Sequence, residues 1–171
     1  AQTDVSAFGK EYQIIEKDGI KVGLLGITTQ YIPHWEPKEH VAGLKFVSAF
    51  SKIKHYAKIL RPQVDVLAVI YHGGFECDPQ TGKATEPDRG ENEGYKILTK
   101  IPEVDVLLTG HQHRRLNLVT RNTAIVQPGY RGEAVAKVVL NIDDESKKIK
   151  SMSTELIDTK DYEPDKKIVA L

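Results

Sequence analysis

Two stretches of this chain open with the same four residues and close on a histidine, and no other feature constrains the fold as much. Val64-Asp65-Val66-Leu67-Ala68-Val69-Ile70-Tyr71 runs into His72-Gly73-Gly74, and Val104-Asp105-Val106-Leu107-Leu108-Thr109 runs into Gly110-His111-Gln112-His113. Continuous runs of Val, Ile and Leu bounded by turn residues read as strands buried on both faces, which implies a parallel sheet in an α/β domain. Ligands of such sheets gather beyond the carboxyl ends of the strands. If the two strands are neighbours, His72, His111 and His113 converge on one rim, and imidazole is the commonest neutral metal ligand. Gly110 is expected to supply the tight turn that presents His111 and His113. The plainer alternative is a polar strand end carrying surface histidines.

The flanking segments fit the same class. Tyr12 to Glu16 and Ile20 to Ile27 enclose Lys17-Asp18-Gly19, and Asp-Gly between apolar runs signals a hairpin. Phe46, Val47, Phe50, Ile53, Ala57, Ile59 and Leu60 recur at helical spacing and predict an amphipathic helix over roughly residues 45 to 60, stopped by Arg61-Pro62. Tyr95, Ile97 and Leu98 predict a short helix ending near Lys100, after a long polar excursion from Glu76 to Glu93. Beyond the second histidine run, residues 116–119, 124–126, 134–142 and 149–156 read as strands, with turns at Arg121-Asn122 and Asp143-Asp144. The charged segment 158–171 reads as a linker.

Composition removes several function classes. With 171 residues, 40% hydrophobic, the chain can bury the core of one domain or a large part of one. Lys plus Arg equals Asp plus Glu at 24 each, which leaves no electrostatic case for nucleic acid or an anionic membrane as the main partner. A single cysteine, Cys77, excludes an internal disulfide and a zinc ribbon. No apolar stretch approaches the roughly 20 residues of a membrane-crossing helix.

The string Gly110-His111-Gln112-His113-Arg114, preceded by His72-Gly73-Gly74 and by Glu91-Asn92-Glu93-Gly94 and followed by Gln127-Pro128-Gly129, resembles the calcineurin-like metallophosphoesterases. More narrowly it resembles their bacterial 5′-nucleotidase and 2′,3′-cyclic-nucleotide phosphodiesterase branch, over about residues 12–142. The resemblance implies half of a four-layer α/β/β/α sandwich with a mixed sheet and parallel core strands. It also implies a small nucleotide as substrate and two divalent ions, of which Zn, Mn, Fe and Co suit imidazole ligands. Such a pair, about 3.5–4 Å apart, activates a water for attack on phosphorus. By the same resemblance His72 and His111 correspond to ligands of one metal and His113 to a ligand of the other. Glu91 and Asn92 lie near the metal rim, and His34 with Trp35 could form part of a substrate wall. Arg114 receives no role.

The family's Asp-x-His, Gly-Asp and Gly-Asn-His motifs do not occur in these residues. The expectation is therefore that residues 1–157 are the second half of a catalytic domain and 158–171 lead to a further domain, with the remaining ligands elsewhere in a longer protein. The chain alone is then expected to be inactive, with no assured catalytic residue of its own. Family precedent favours an extracytoplasmic setting. Two other readings stay open: an amidohydrolase, in which His-x-His also ends a strand, and a non-enzymatic metal-binding or interaction module. For single residues the plainer readings are a solvent-facing His55, a loop-bound His40, a tryptophan that packs its loop, Asn92 as a helix cap, and Tyr130 and Arg131 as turn residues.

Overall fold

A computed structural model describes residues 6–169. The chain begins with the expected hairpin, β1 (Tyr12–Lys17) and β2 (Ile20–Thr28), turning at Asp18 and Gly19 with φ of 52° and 74°. Positive φ at both central residues is what a type I′ turn demands, and it matches the twist of the flanking strands. A helix, α1 (Ala49–Leu60), leads to β3 (Val66–His72), and a shorter one, α2 (Gly94–Lys100), to β4 (Val106–Thr109). Then follow β5 (Arg115–Thr120), β6 (Thr123–Pro128), β7 (Ala134–Ile142), β8 (Ile149–Asp158) and one last turn of helix, α3 (Lys166–Val169).

Six strands form one mixed sheet in the order β1-β2-β3-β4-β6-β5, with β2, β3, β4 and β6 parallel and the two edge strands antiparallel. The two histidine-tipped strands are neighbours, in a register that pairs Tyr71 with Thr109. An open sheet with two edges is not the closed barrel of an amidohydrolase, so that alternative falls.

Both faces of the core strands are covered, which explains their uninterrupted apolar sequence. Leu67, Val69, Tyr71, Leu107 and Ile125 point toward α1 and α2, where they meet Ile53, Ala57, Leu60, Ile97 and Leu98. Val66, Ala68, Val106 and Ala124 point the other way, onto Val138, Leu140, Ile149 and Met152 of the β7–β8 hairpin. Burying a Val, Leu or Ile side chain is worth about 1.5–3 kcal/mol, so these two clusters hold the layers together.

The start of α1 departs from expectation by four residues because its first turn is fixed from outside. Ser48 Oγ accepts the Ser51 amide at 3.2 Å, Gln30 Oε1 accepts that of Ala49 at 3.1 Å, and Glu93 Oε2 accepts that of Phe50 at 3.0 Å. The three orphan amides of Ala49, Phe50 and Ser51 are thus satisfied, which sets the helix boundary at Ser48. Strand β8 runs two residues past the expected Leu156, since Asp158 pairs with Ala134 and carries an ion pair to Arg115.

Candidate functional site

The carboxyl ends of β3 and β4 bring His72 and His111 together, with ring centroids 5.5 Å apart and planes at 61°. Strand pairing does the placing: Gly110 N donates to Gly73 O at 3.1 Å, which carries the β3–β4 ladder one step past the strands and sets the two histidines side by side. The turn that follows differs from expectation. Gly110 is not left-handed; His111 and His113 are, with φ of 67° and 58°. Left-handed backbone at two non-glycine residues is strained and is found where surrounding structure enforces it, often at functional sites.

Each imidazole has its own surroundings. Glu91 Oε1 lies 2.7 Å from His111 Nε2, and Trp35 stacks over the His111 ring at 5.3 Å. His113 is exposed and turns its ring onto Tyr130, with centroids 4.1 Å apart. His72 sits at the exposed tip of β3, yet loss of hydration beside the rim, then the nearby imidazoles of His111 and His113, lower its pKa below the usual histidine value. A histidine held neutral keeps its ring nitrogens available to a metal ion.

The Glu91-Asn92 pair separates into two different roles. Glu91 reaches His111, whereas Asn92 is buried at 4% exposure and spends its amide on the framework: Oδ1 accepts Gly74 N and Nδ2 donates to Glu86 Oε1, each at 2.6 Å. Asn92 does not cap α2. Glu76 does, accepting the amides of Tyr95 at 2.9 Å and Lys96 at 2.8 Å. Glu86 in turn accepts Gln112 Nε2 at 2.8 Å, so the polar excursion is laced to the histidine turn. Gln112 also brackets Phe75, accepting its amide at 2.8 Å and donating to its carbonyl at 3.0 Å.

His34 and Trp35 occupy a short 3-10 turn, Ile32–His34, and its exit beside this rim. Tyr31 stacks on His34 at 3.8 Å and meets Trp35 at 5.6 Å, and Trp35 remains 44% exposed. The tryptophan therefore presents a face to solvent while touching His111. His55 on α1 is exposed with its ring edge-on to Tyr56, and His40 pairs with Glu36 at 3.1 Å. Tyr130 opens a turn as expected, its carbonyl accepting the Glu133 amide at 3.0 Å, but no spacing signal in the sequence links its ring to His113.

The donor chemistry suits a divalent ion, but the set is incomplete: among the described residues no three His, Cys, Asp or Glu side chains are gathered as a coordination group. The rim brings two imidazoles together, His72 and His111, and Glu91 is engaged with the second of them.

No protein-family model matches the chain. Its fold is similar to that of a Staphylococcus aureus protein described as a putative 5′-nucleotidase, with a TM-score of 0.85 and 38% identity over 96% of this chain and 33% of that one. It is 31% identical to the cell wall protein Lmo0130 of Listeria monocytogenes over 77% of this chain and 18% of that protein. It is 29% identical to the endonuclease YhcR of Bacillus subtilis over 90% of this chain and 12% of that protein. The chain thus spans a third or less of the length of these relatives. By fold and sequence it groups with the calcineurin-like metallophosphoesterases, and its structural neighbours are 5′-nucleotidases and calcineurin-like phosphoesterases. Those relatives are enzymes of the metallophosphoesterase superfamily, and its calcineurin-like members imply divalent metal ions in general.

Proposed function

We propose that this chain is part of a metal-dependent phosphoesterase that hydrolyses small nucleotides, 5′-monophosphates or 2′,3′-cyclic phosphates. The observation that carries the reading is the meeting of His72 and His111 at the tips of adjacent parallel strands, 5.5 Å apart, with Glu91 on His111. His72 and His111 would hold one divalent ion and His113 a second, of Zn, Mn, Fe or Co type, with further ligands supplied by residues outside this chain. When bound, such ions neutralise phosphoryl oxygens and lower the pKa of a coordinated water.

The chain's own side chains orient that centre and border it. Glu91 fixes the direction of the His111 ring, as carboxylates commonly do for metal-ligating histidines. Trp35 limits the ring's rotation from the opposite side and, with His34, offers an aromatic wall to a nucleoside. Asn92 holds Gly74, just beyond His72, and so acts on the rim from behind. With those further ligands outside it, the chain by itself would hold an incomplete set and hydrolyse no phosphoester. The relative named as a cell wall protein favours an extracytoplasmic setting. No helix among the described residues is long and apolar enough to cross a membrane.

A second reading, cleavage of nucleic-acid phosphodiesters, draws on the relative named as an endonuclease. The balanced charge of the chain weighs against a long polyanion, which needs phosphate-facing cations. The intact protein incubated with nucleoside monophosphates, cyclic nucleotides, a generic aryl phosphate and a single-stranded oligonucleotide separates these cases. Chelator-sensitive release of phosphate from mononucleotides is expected. Hydrolysis of the oligonucleotide alone selects the second reading, and no hydrolysis of any of them leaves a non-enzymatic metal-binding module.

A further inference from the structure

A buried glutamine spans the two feet of the strained histidine turn. Gln127, at the end of β6, is 0% exposed. Its Nε2 donates to Gly110 O at 2.9 Å and to Thr109 Oγ1 at 3.1 Å, and its Oε1 accepts the Arg114 amide at 2.8 Å. Gly110 and Arg114 are the residues on either side of His111-Gln112-His113. One side chain therefore satisfies the backbone where the turn leaves β4 and where it enters β5.

The strain inside the turn gives that clamp its purpose. Left-handed φ at His111 and His113 persists only where the surroundings over-determine it. Gln112, between them, is held by Phe75 and Glu86 on the outer side, so the middle of the turn is anchored outward and its feet are anchored inward by Gln127. The task needs a donor and an acceptor on one planar group at this reach. Glutamic acid, ionised, keeps the acceptor and loses the donor; methionine loses both; asparagine is one methylene short.

We infer that Gln127 is a positioning residue that enforces the left-handed turn at residues 111–113 and thereby aims the His111 and His113 imidazoles at the phosphoester site. It touches no ligand. The inference rests on the proposed metal reading only for what those imidazoles hold; the control of the turn stands apart from it.

The test uses the intact protein with Gln127→Met and Gln127→Glu, followed by residue-resolved hydrogen–deuterium exchange and Mn²⁺ titration. Both variants are expected to exchange at least tenfold faster over residues 110–114, while residues 64–71 of the neighbouring strand keep their rates. Mn²⁺ affinity is expected to fall at least tenfold. A residue that merely stabilises the domain would speed both segments together. Exchange over 110–114 that is unchanged, or that rises only in step with 64–71, overturns the inference, and either variant suffices should the other fail to fold. Wild-type protein that binds no Mn²⁺ would sink the metal reading alone, with the exchange comparison still deciding Gln127.

Discussion

Asp105 grips Leu67 twice, its carboxylate Oδ2 accepting the Leu67 amide at 2.7 Å while its own amide donates to the Leu67 carbonyl at 3.0 Å. Asp65 repeats the arrangement one strand over, taking the Lys21 amide at 2.7 Å and donating to the Lys21 carbonyl at 2.8 Å. The duplicated Val-Asp-Val-Leu opening thus has a structural cause: each aspartate fastens its incoming strand to the parallel strand beside it. Arg61 completes the first clamp with an ion pair to Asp105 at 2.6 Å and a bond to the Val64 carbonyl at 2.8 Å. Replacing Asp105 by Ala should cost about 2–3 kcal/mol of stability, because a charge-assisted bond is lost and Arg61 is left without its carboxylate. Asp65→Ala, whose bond to the Lys21 amide lies at an exposed pair, should cost less. Urea unfolding of the two variants measures the difference.

Asn92→Leu should lower stability by about 1–3 kcal/mol, since it orphans the buried Gly74 amide and strips Glu86 of a donor. Its effect on phosphoester turnover should fall on kcat more than on KM, because the residue braces the rim and does not face substrate. Steady-state kinetics beside a denaturation curve checks both parts.

Two glycines that look alike in sequence should behave differently. A Cβ on Gly94 would come within 2.5 Å of the Gly74 carbonyl oxygen, a backbone atom that cannot move aside cheaply, whereas one on Gly110 meets nothing closer than His72 Nδ1 at 3.7 Å. Gly94→Ala should therefore lower the melting temperature by several degrees and Gly110→Ala should leave it nearly unchanged. Thermal melts of both variants decide it.

The β7–β8 hairpin carries an acid-sensitive contact. Bonds from Lys150 and from the amide and hydroxyl of Ser146 hold the Asp143 pKa at about 2. A carboxylate depressed in the folded state contributes stability above its unfolded value of about 3.9, and that contribution is lost as pH falls through about 2. The melting temperature of wild type should exceed that of Asp143→Ala at neutral pH, and the gap should close as the solution is acidified below about pH 4. The carboxylate pairs with an exposed lysine at the protein surface, so the gap should be small and should shrink in high salt.

Local signals carried most of the architecture. The Asp18-Gly19 turn, the apolar periodicity of α1 and the two Val-Asp-Val-Leu runs each encode their element within a few residues, whereas the adjacency of β3 and β4, which the sequence leaves as a condition, comes from the sheet order. What escaped the sequence depends on contacts between distant residues. The insertion of β6 between β4 and β5 is one case, and the capping of α1 by Gln30 and Glu93 another. At the site, His72 and His111 were readable as strand-end residues, yet the partnership of Glu91 with His111 and the stacking of Trp35 on that ring require three separate loops to converge. Gly110 drew the turn because glycine is the usual left-handed residue, but the strain falls on the histidines themselves, held there by Gln127.

Metal analysis of the intact protein, purified without added metal and compared with His72→Ala, His111→Ala and His113→Ala, tests the account at its centre. Close to two divalent ions per wild-type molecule, with marked loss in each variant and no loss in His55→Ala, is the predicted result. Wild-type metal content in all three rim variants would contradict it.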